Sequence, residues 1–116
     1  MKLTLPEVVA KALGDERGVL EEAVRRIVEV ARPGRIVLFG SGAKGRMGND
    51  SDLDLLVVKS GAHRRKLAQE IYVALVGVGR SVDVVVVTSE DIERFGDSPA
   101  LVIEPALREG IELYAA

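Results

Sequence analysis

Arg35-Ile36-Val37-Leu38-Phe39-Gly40-Ser41-Gly42-Ala43-Lys44-Gly45-Arg46-Met47-Gly48-Asn49-Asp50-Ser51-Asp52-Leu53-Asp54-Leu55-Leu56-Val57-Val58 is the stretch on which the fold turns. Its ends, Arg35 to Phe39 and Leu53 to Val58, are short apolar runs that read as buried strands. The middle, Gly40 to Ser51, is glycine-rich and polar, which predicts a loop or a loop with one helical turn. It carries no helix-length amphipathic pattern, so it cannot serve as a parallel crossover. The two strands are therefore expected to pair antiparallel.

The flanking residues extend the pattern in both directions. Pro6 to Leu13 reads as a short opening helix, with proline in its first turn. From Gly18 to Ala31, Leu20, Val24, Ile27, Val28 and Ala31 recur at helical spacing, and Pro33-Gly34 stops that helix. Beyond the second strand, Ser60 is placed to cap a helix from about Ala62 to Val76, with Leu67, Ile71 and Leu75 on one stripe and Gly77 and Gly79 at its end. Val82 to Val87 is a third, β-branched strand, separated from the second by a whole helix and so expected to lie parallel to it. Thr88-Ser89-Glu90-Asp91 resembles a capping box before another short helix. Ser98-Pro99 marks a turn or another helix start, Pro105 to Glu109 a helical turn closed by Gly110, and Ile111 to Tyr114 a final strand. The fold class is α/β (α+β by some schemes), a small mixed sheet flanked by helices. The end of the first strand and the starts of the second and third share one edge of it.

Composition limits what this fold can do. At 116 residues the chain is expected to be one domain over 1–116, with an aliphatic core because only two Phe and two Tyr are present. A net charge of −2 supplies no global attraction to nucleic acid, and no direct DNA binding is expected. The absence of cysteine excludes disulfides, Cys-ligated zinc and a thiol nucleophile. No apolar stretch is long enough to span a bilayer and no secretory leader is evident, so the expected location is cytoplasmic and no membrane partner is expected.

Gly40, Gly42 and Gly45 match the G-x-G-x-x-G of dinucleotide sites, but that reading needs a long helix and then a strand that ends in an acid. Here Asp52 opens the next strand instead, and Gly45 is followed by Arg46-Met47 rather than the Lys-Ser/Thr of a P-loop. What survives is a strand running into Gly40-Ser41, a bend that can aim backbone N–H groups and a hydroxyl at phosphate oxygens. Alone, such a bend is more often a plain turn. The acids change its meaning. Asp52 and Asp54 lie two apart on one strand and face the same way. Mg²⁺ takes oxygen ligands, typically one or two carboxylates completed by phosphate oxygens and water. Asp83 interrupts the apolar run Val82 to Val87 at its start, where topology sets it beside the other two acids. Its bland alternative is a salt bridge to an arginine such as Arg80. Three carboxylates on one edge can hold two Mg²⁺ ions roughly 3.5–4 Å apart for in-line phosphoryl displacement.

Phe39-Gly40-Ser41-Gly42-Ala43-Lys44-Gly45, Ser51-Asp52-Leu53-Asp54-Leu55 and Val82-Asp83-Val84 together resemble the pattern of nucleotidyltransferases of the DNA polymerase β superfamily. In particular the chain looks like the minimal nucleotidyltransferases, often MntA-type antitoxins, and Arg108 to Tyr114 looks like their closing strand. The resemblance implies the nucleotidyltransferase fold and a transferase acting on ATP or another NTP. Gly40 and Ser41 would contact the triphosphate, Asp52 and Asp54 would bridge two Mg²⁺, and Asp83 would bind the catalytic metal and help deprotonate the acceptor hydroxyl. Many relatives carry arginine after Gly-Ser and again two residues on, where this chain has Gly42 and Lys44. Lysine lacks the bidentate fork of arginine, and Arg46 is the nearest replacement. The resemblance further implies a small helical HEPN partner protein, with AMP passed from ATP to a tyrosine of that ribonuclease toxin. The non-catalytic alternative is an antitoxin that neutralises its helical partner by steric contact alone. His63-Arg64-Arg65-Lys66 reads as a solvated face, its other uses being RNA, an acidic partner or nucleotide phosphates. Tyr72 and Tyr114 read as packing residues.

Overall fold

The computed structural model describes residues 16–40, 52–61, 63–95 and 103–116, together with Glu7, Ala10, Lys11 and Gly14. Of the expected opening helix, Glu7, Ala10 and Lys11 are helical and its other residues lie outside the described ones, as does Ser98-Pro99, where a turn or helix start is expected. Helix α1 spans Glu16–Ala31 and leads into strand β1, Arg35–Phe39. Strand β2 is Leu53–Val58, helix α2 Arg64–Ala74, strand β3 Val82–Val87 and helix α3 Ser89–Phe95. Helix α4, Ile103–Glu109, starts two residues before the expected helical turn, and strand β4 closes the chain at Ile111–Ala115. Among the described residues no helix is long and apolar enough to cross a membrane.

The four strands form one mixed sheet in the order β3-β2-β1-β4. β1 pairs antiparallel with β2, and β2 parallel with β3, as the connection lengths require. β4 adds to the other side of β1, antiparallel, with an irregularity between Ile36 and Val37. Strand residues alternate between two apolar layers. Ile36, Leu38, Leu53, Leu55, Val57, Val82, Val84 and Val86 pack against Leu20, Val24 and Ile27 of α1 and Leu67 and Ile71 of α2. Val37, Leu56, Val58 and Val87 pack on the opposite face against Ile103 and Ala106 of α4. The apolar stripe of α1 is wholly buried at Leu20, Val24 and Ile27, which explains why a helix with Glu and Arg on its other face holds its place.

Both short helix starts follow their local chemistry, one of them differently from expectation. Ser60 does not cap α2. Its hydroxyl hydrogen-bonds that of Ser89 at 2.6 Å, and His63 Nδ1 accepts from the Lys66 N–H as the N-cap. The capping box before α3 is present in both directions: Thr88 Oγ1 accepts from the Asp91 N–H at 3.1 Å and Asp91 Oδ2 from the Thr88 N–H at 2.9 Å. Thr88→Ala is expected to cost about 1 kcal/mol in denaturant unfolding. The Thr88 N–H bond, with help from Arg64, holds the Asp91 carboxyl below its usual range. An acid whose pKa is depressed on folding stabilises above its unfolded pKa of about 4, and that contribution fades as pH falls through the folded value. Asp91→Ala is thus expected to destabilise at pH 7 and progressively less below pH ~4 in the same measurement.

Candidate active site

The first two strand pairings bring the candidate acids to one corner of the sheet. Asp54 is the antiparallel partner of Phe39 and the parallel partner of Asp83. The Leu53 N–H donates to the Ser81 carbonyl at 3.0 Å, which sets where β3 begins and so places Asp83 beside Asp54 rather than a residue higher or lower. By alternation Asp54 shares a face with Leu56 and Val58, and Asp83 shares the same face with Val85 and Val87. Asp52 immediately precedes β2, two residues before Asp54. Asp54 is half-buried, whereas Asp52 and Asp83 are exposed.

Electrostatics single out Asp54. Burial raises its pKa, the charge of Asp83 raises it further, and that of Asp52 adds to both. Among the described residues no three His, Asp or Glu side chains stand close enough to grip one ion as they are. The donor set nevertheless fits a hard divalent cation: all-oxygen, anionic and mutually repelling, so that a cation relieves what the fold has concentrated.

Gly40 lies against Asp54. Its φ of +72° is in the left-handed region, and a Cβ built there would run into the Asp54 carboxylate. The missing side chain lets the end of β1 and this carboxylate approach each other. Ser41, Lys44 and Arg46, the other candidate nucleotide-binding residues, lie outside the described residues.

The basic run goes elsewhere. β2 runs from the acidic corner at its start to Val58 at its far end, and His63 to Lys66 open α2 beyond that end. Arg64 there meets Asp91 at 3.3 Å and His63 serves as cap. This run is therefore remote from the acids and is not placed to hold phosphates beside them. Tyr114 packs partly buried on the core, as expected. Tyr72 differs from expectation: it is 43% exposed and its hydroxyl bonds the backbone of Val84, next to Asp83.

A family model described as a nucleotidyltransferase domain matches residues 19–112. Among solved structures, a candidate nucleotidyltransferase from Sulfolobus solfataricus is similar with a TM-score of 0.59 at 16% identity, over 95% of this chain and 89% of that one. The Cid1 poly(U) polymerase, solved with MgGTP bound, is similar with a TM-score of 0.51 at 16% identity, over 78% of this chain and 35% of the polymerase. At such identities the likeness is one of fold. Among curated proteins none matches the chain in sequence.

Proposed function

The chain belongs to the nucleotidyltransferase-domain family, and on that premise we propose that it transfers a nucleoside monophosphate, AMP from ATP, to a hydroxyl acceptor. The acceptor is proposed to be a tyrosine of a small helical HEPN toxin, which makes this chain the antitoxin. The observation that carries the reading is the register of Asp54 with Asp83 across parallel strands, with Asp52 just before β2 and the bare Gly40 against Asp54. Asp52, Asp54 and Asp83 would hold two Mg²⁺. When bound, these ions would offset the triphosphate charge and make the α-phosphorus more electrophilic.

The residues of the chain then divide the work. Gly40 and Ser41 would seat the β- and γ-phosphates, with Lys44 as a point charge and Arg46 as a bidentate donor around them. Asp83, exposed near the start of β3, would accept the proton of the acceptor hydroxyl. The acceptor oxygen forms its bond to the α-phosphorus as the bond to pyrophosphate breaks, and pyrophosphate leaves with the negative charge.

Incubation with each NTP, Mg²⁺ and a co-encoded helical partner, followed by weighing the partner, tests the proposal. The expected result is a gain of one or more AMP units with ATP, reduced at least ~100-fold in rate by Asp83→Asn. No gain with any NTP, while the partner is still neutralised, would replace transfer by steric contact.

A further inference from the structure

Among the described residues β3 is an edge strand, with β2 as its one strand neighbour. The Ser81 and Val87 carbonyls accept from the N–H groups of Leu53 and Lys59, at 3.0 Å each. Odd-numbered residues of β3 therefore turn their backbone polar groups toward β2, and Val82, Val84 and Val86 turn theirs outward. At Val84 the outward pair is taken by one side chain. The Val84 N–H donates to Tyr72 Oη at 3.0 Å, and that hydroxyl lies 3.5 Å from the Val84 carbonyl. Tyr72 stands on α2 beside the buried Ile71, yet the residue is 43% exposed. A residue chosen only to fill the core would not be this exposed, nor would it need a hydroxyl.

We propose that Tyr72 is a positioning residue for Asp83: its hydroxyl takes up the outward backbone groups of Val84 as a neighbour strand would, and fixes the peptide that joins Asp83 to Val84. This rests on the reading of Asp83 as a metal-holding carboxylate. The Asp83 side chain is exposed and, among the described residues, β3 is flanked by a strand on one side only, so its placement depends on how firmly the backbone is held. β2 holds the inner side through the ladder, and Tyr72 holds the outer side one residue beyond the acid. The same bond ties α2, which packs on the opposite face of the sheet from the acids, to the strand that carries one of them. Misplacement of a reacting group by about 1 Å costs on the order of 100-fold in rate, so even partial loosening is visible in turnover.

Tyr72→Phe keeps the ring and removes the hydroxyl. Three readouts separate positioning from bulk structure: the exchange rate of the Val84 amide, the Mn²⁺ concentration that half-broadens the Asp83 and Asp54 amide resonances, and kcat against KM for transfer. The expected result is faster exchange at Val84, a several-fold higher Mn²⁺ midpoint and a kcat roughly 10-fold lower with KM for NTP little changed. Val73→Ser, next in sequence and 74% exposed, is expected to change none of these. A Tyr72→Phe variant with the wild-type Mn²⁺ midpoint and kcat would overturn the proposal. If it also formed concentration-dependent oligomers, the hydroxyl would instead be guarding an open strand edge. If the wild-type chain transfers nothing, the reading of the reaction fails separately, and the Mn²⁺ midpoint still decides the role of Tyr72.

Discussion

Gly40→Ala is expected to leave a folded protein that no longer transfers nucleotidyl groups, with the rate reduced by more than ~100-fold. Two independent costs meet at this position. The backbone there has φ +72°, where a non-glycine residue costs roughly 1–2 kcal/mol. The added methyl also falls on the Asp54 carboxylate, so either the end of β1 or the acid must move. Moving the acid breaks its register with Asp83, and moving the strand shifts the bend proposed to receive phosphate. Gly34→Ala is the matched control at the other end of β1. Its Cβ would meet only the Val58 carbonyl at 3.7 Å, an ordinary contact, and transfer is expected to persist. Circular dichroism and thermal unfolding of both variants beside the transfer assay provide the check. A Gly40→Ala protein with wild-type turnover would show that the close approach to Asp54 has no part in the chemistry.

How much of this was legible beforehand differs by element, for physical reasons. β1, β2 and β3 are readable to the residue because each is a short apolar run bounded by Gly, Pro, Ser or charged residues, and the lengths of their connections decide parallel against antiparallel. Asp54 and Asp83 then fall together because strand periodicity leaves little freedom once β2 and β3 are neighbours. The start of α2 differs from expectation because Ser is a good cap in general, while here Ser60 bonds to Ser89 across the sheet end, a contact that exists only in three dimensions. α4 begins before Pro105 because proline is tolerated in the first turn of a helix, so it does not mark the first residue. Tyr72 was hidden for a deeper reason. Its partner is a backbone group, and which backbone groups go unpaired depends on which strand is the edge, a property of the whole sheet.

The acid at position 54 carries the second large effect, and its sign on stability is opposite to its sign on activity. Asp54→Asn is expected to abolish transfer and, in the absence of divalent ions, to raise the melting temperature by a few degrees. The carboxylate is half-buried and in register with Asp83, and burial first, then the charges of Asp83 and Asp52, make its ionised form unfavourable in the folded chain. Asparagine has the same shape without the charge, so the folded state loses a repulsion that the unfolded chain never had. A fold that keeps such a group at a strand start, where Leu53 and Leu55 on either side are wholly buried, keeps it for something other than stability. Mg²⁺ supplies the complementary measurement. Added to the wild-type chain it is expected to raise the melting temperature by relieving that repulsion, and added to Asp54→Asn to raise it much less. If the asparagine variant melts lower than wild type without metal, the carboxylate is held by a stabilising partner and the repelling cluster is the wrong description of this corner. If it melts higher but still transfers, the cluster is real and the chemistry lies elsewhere.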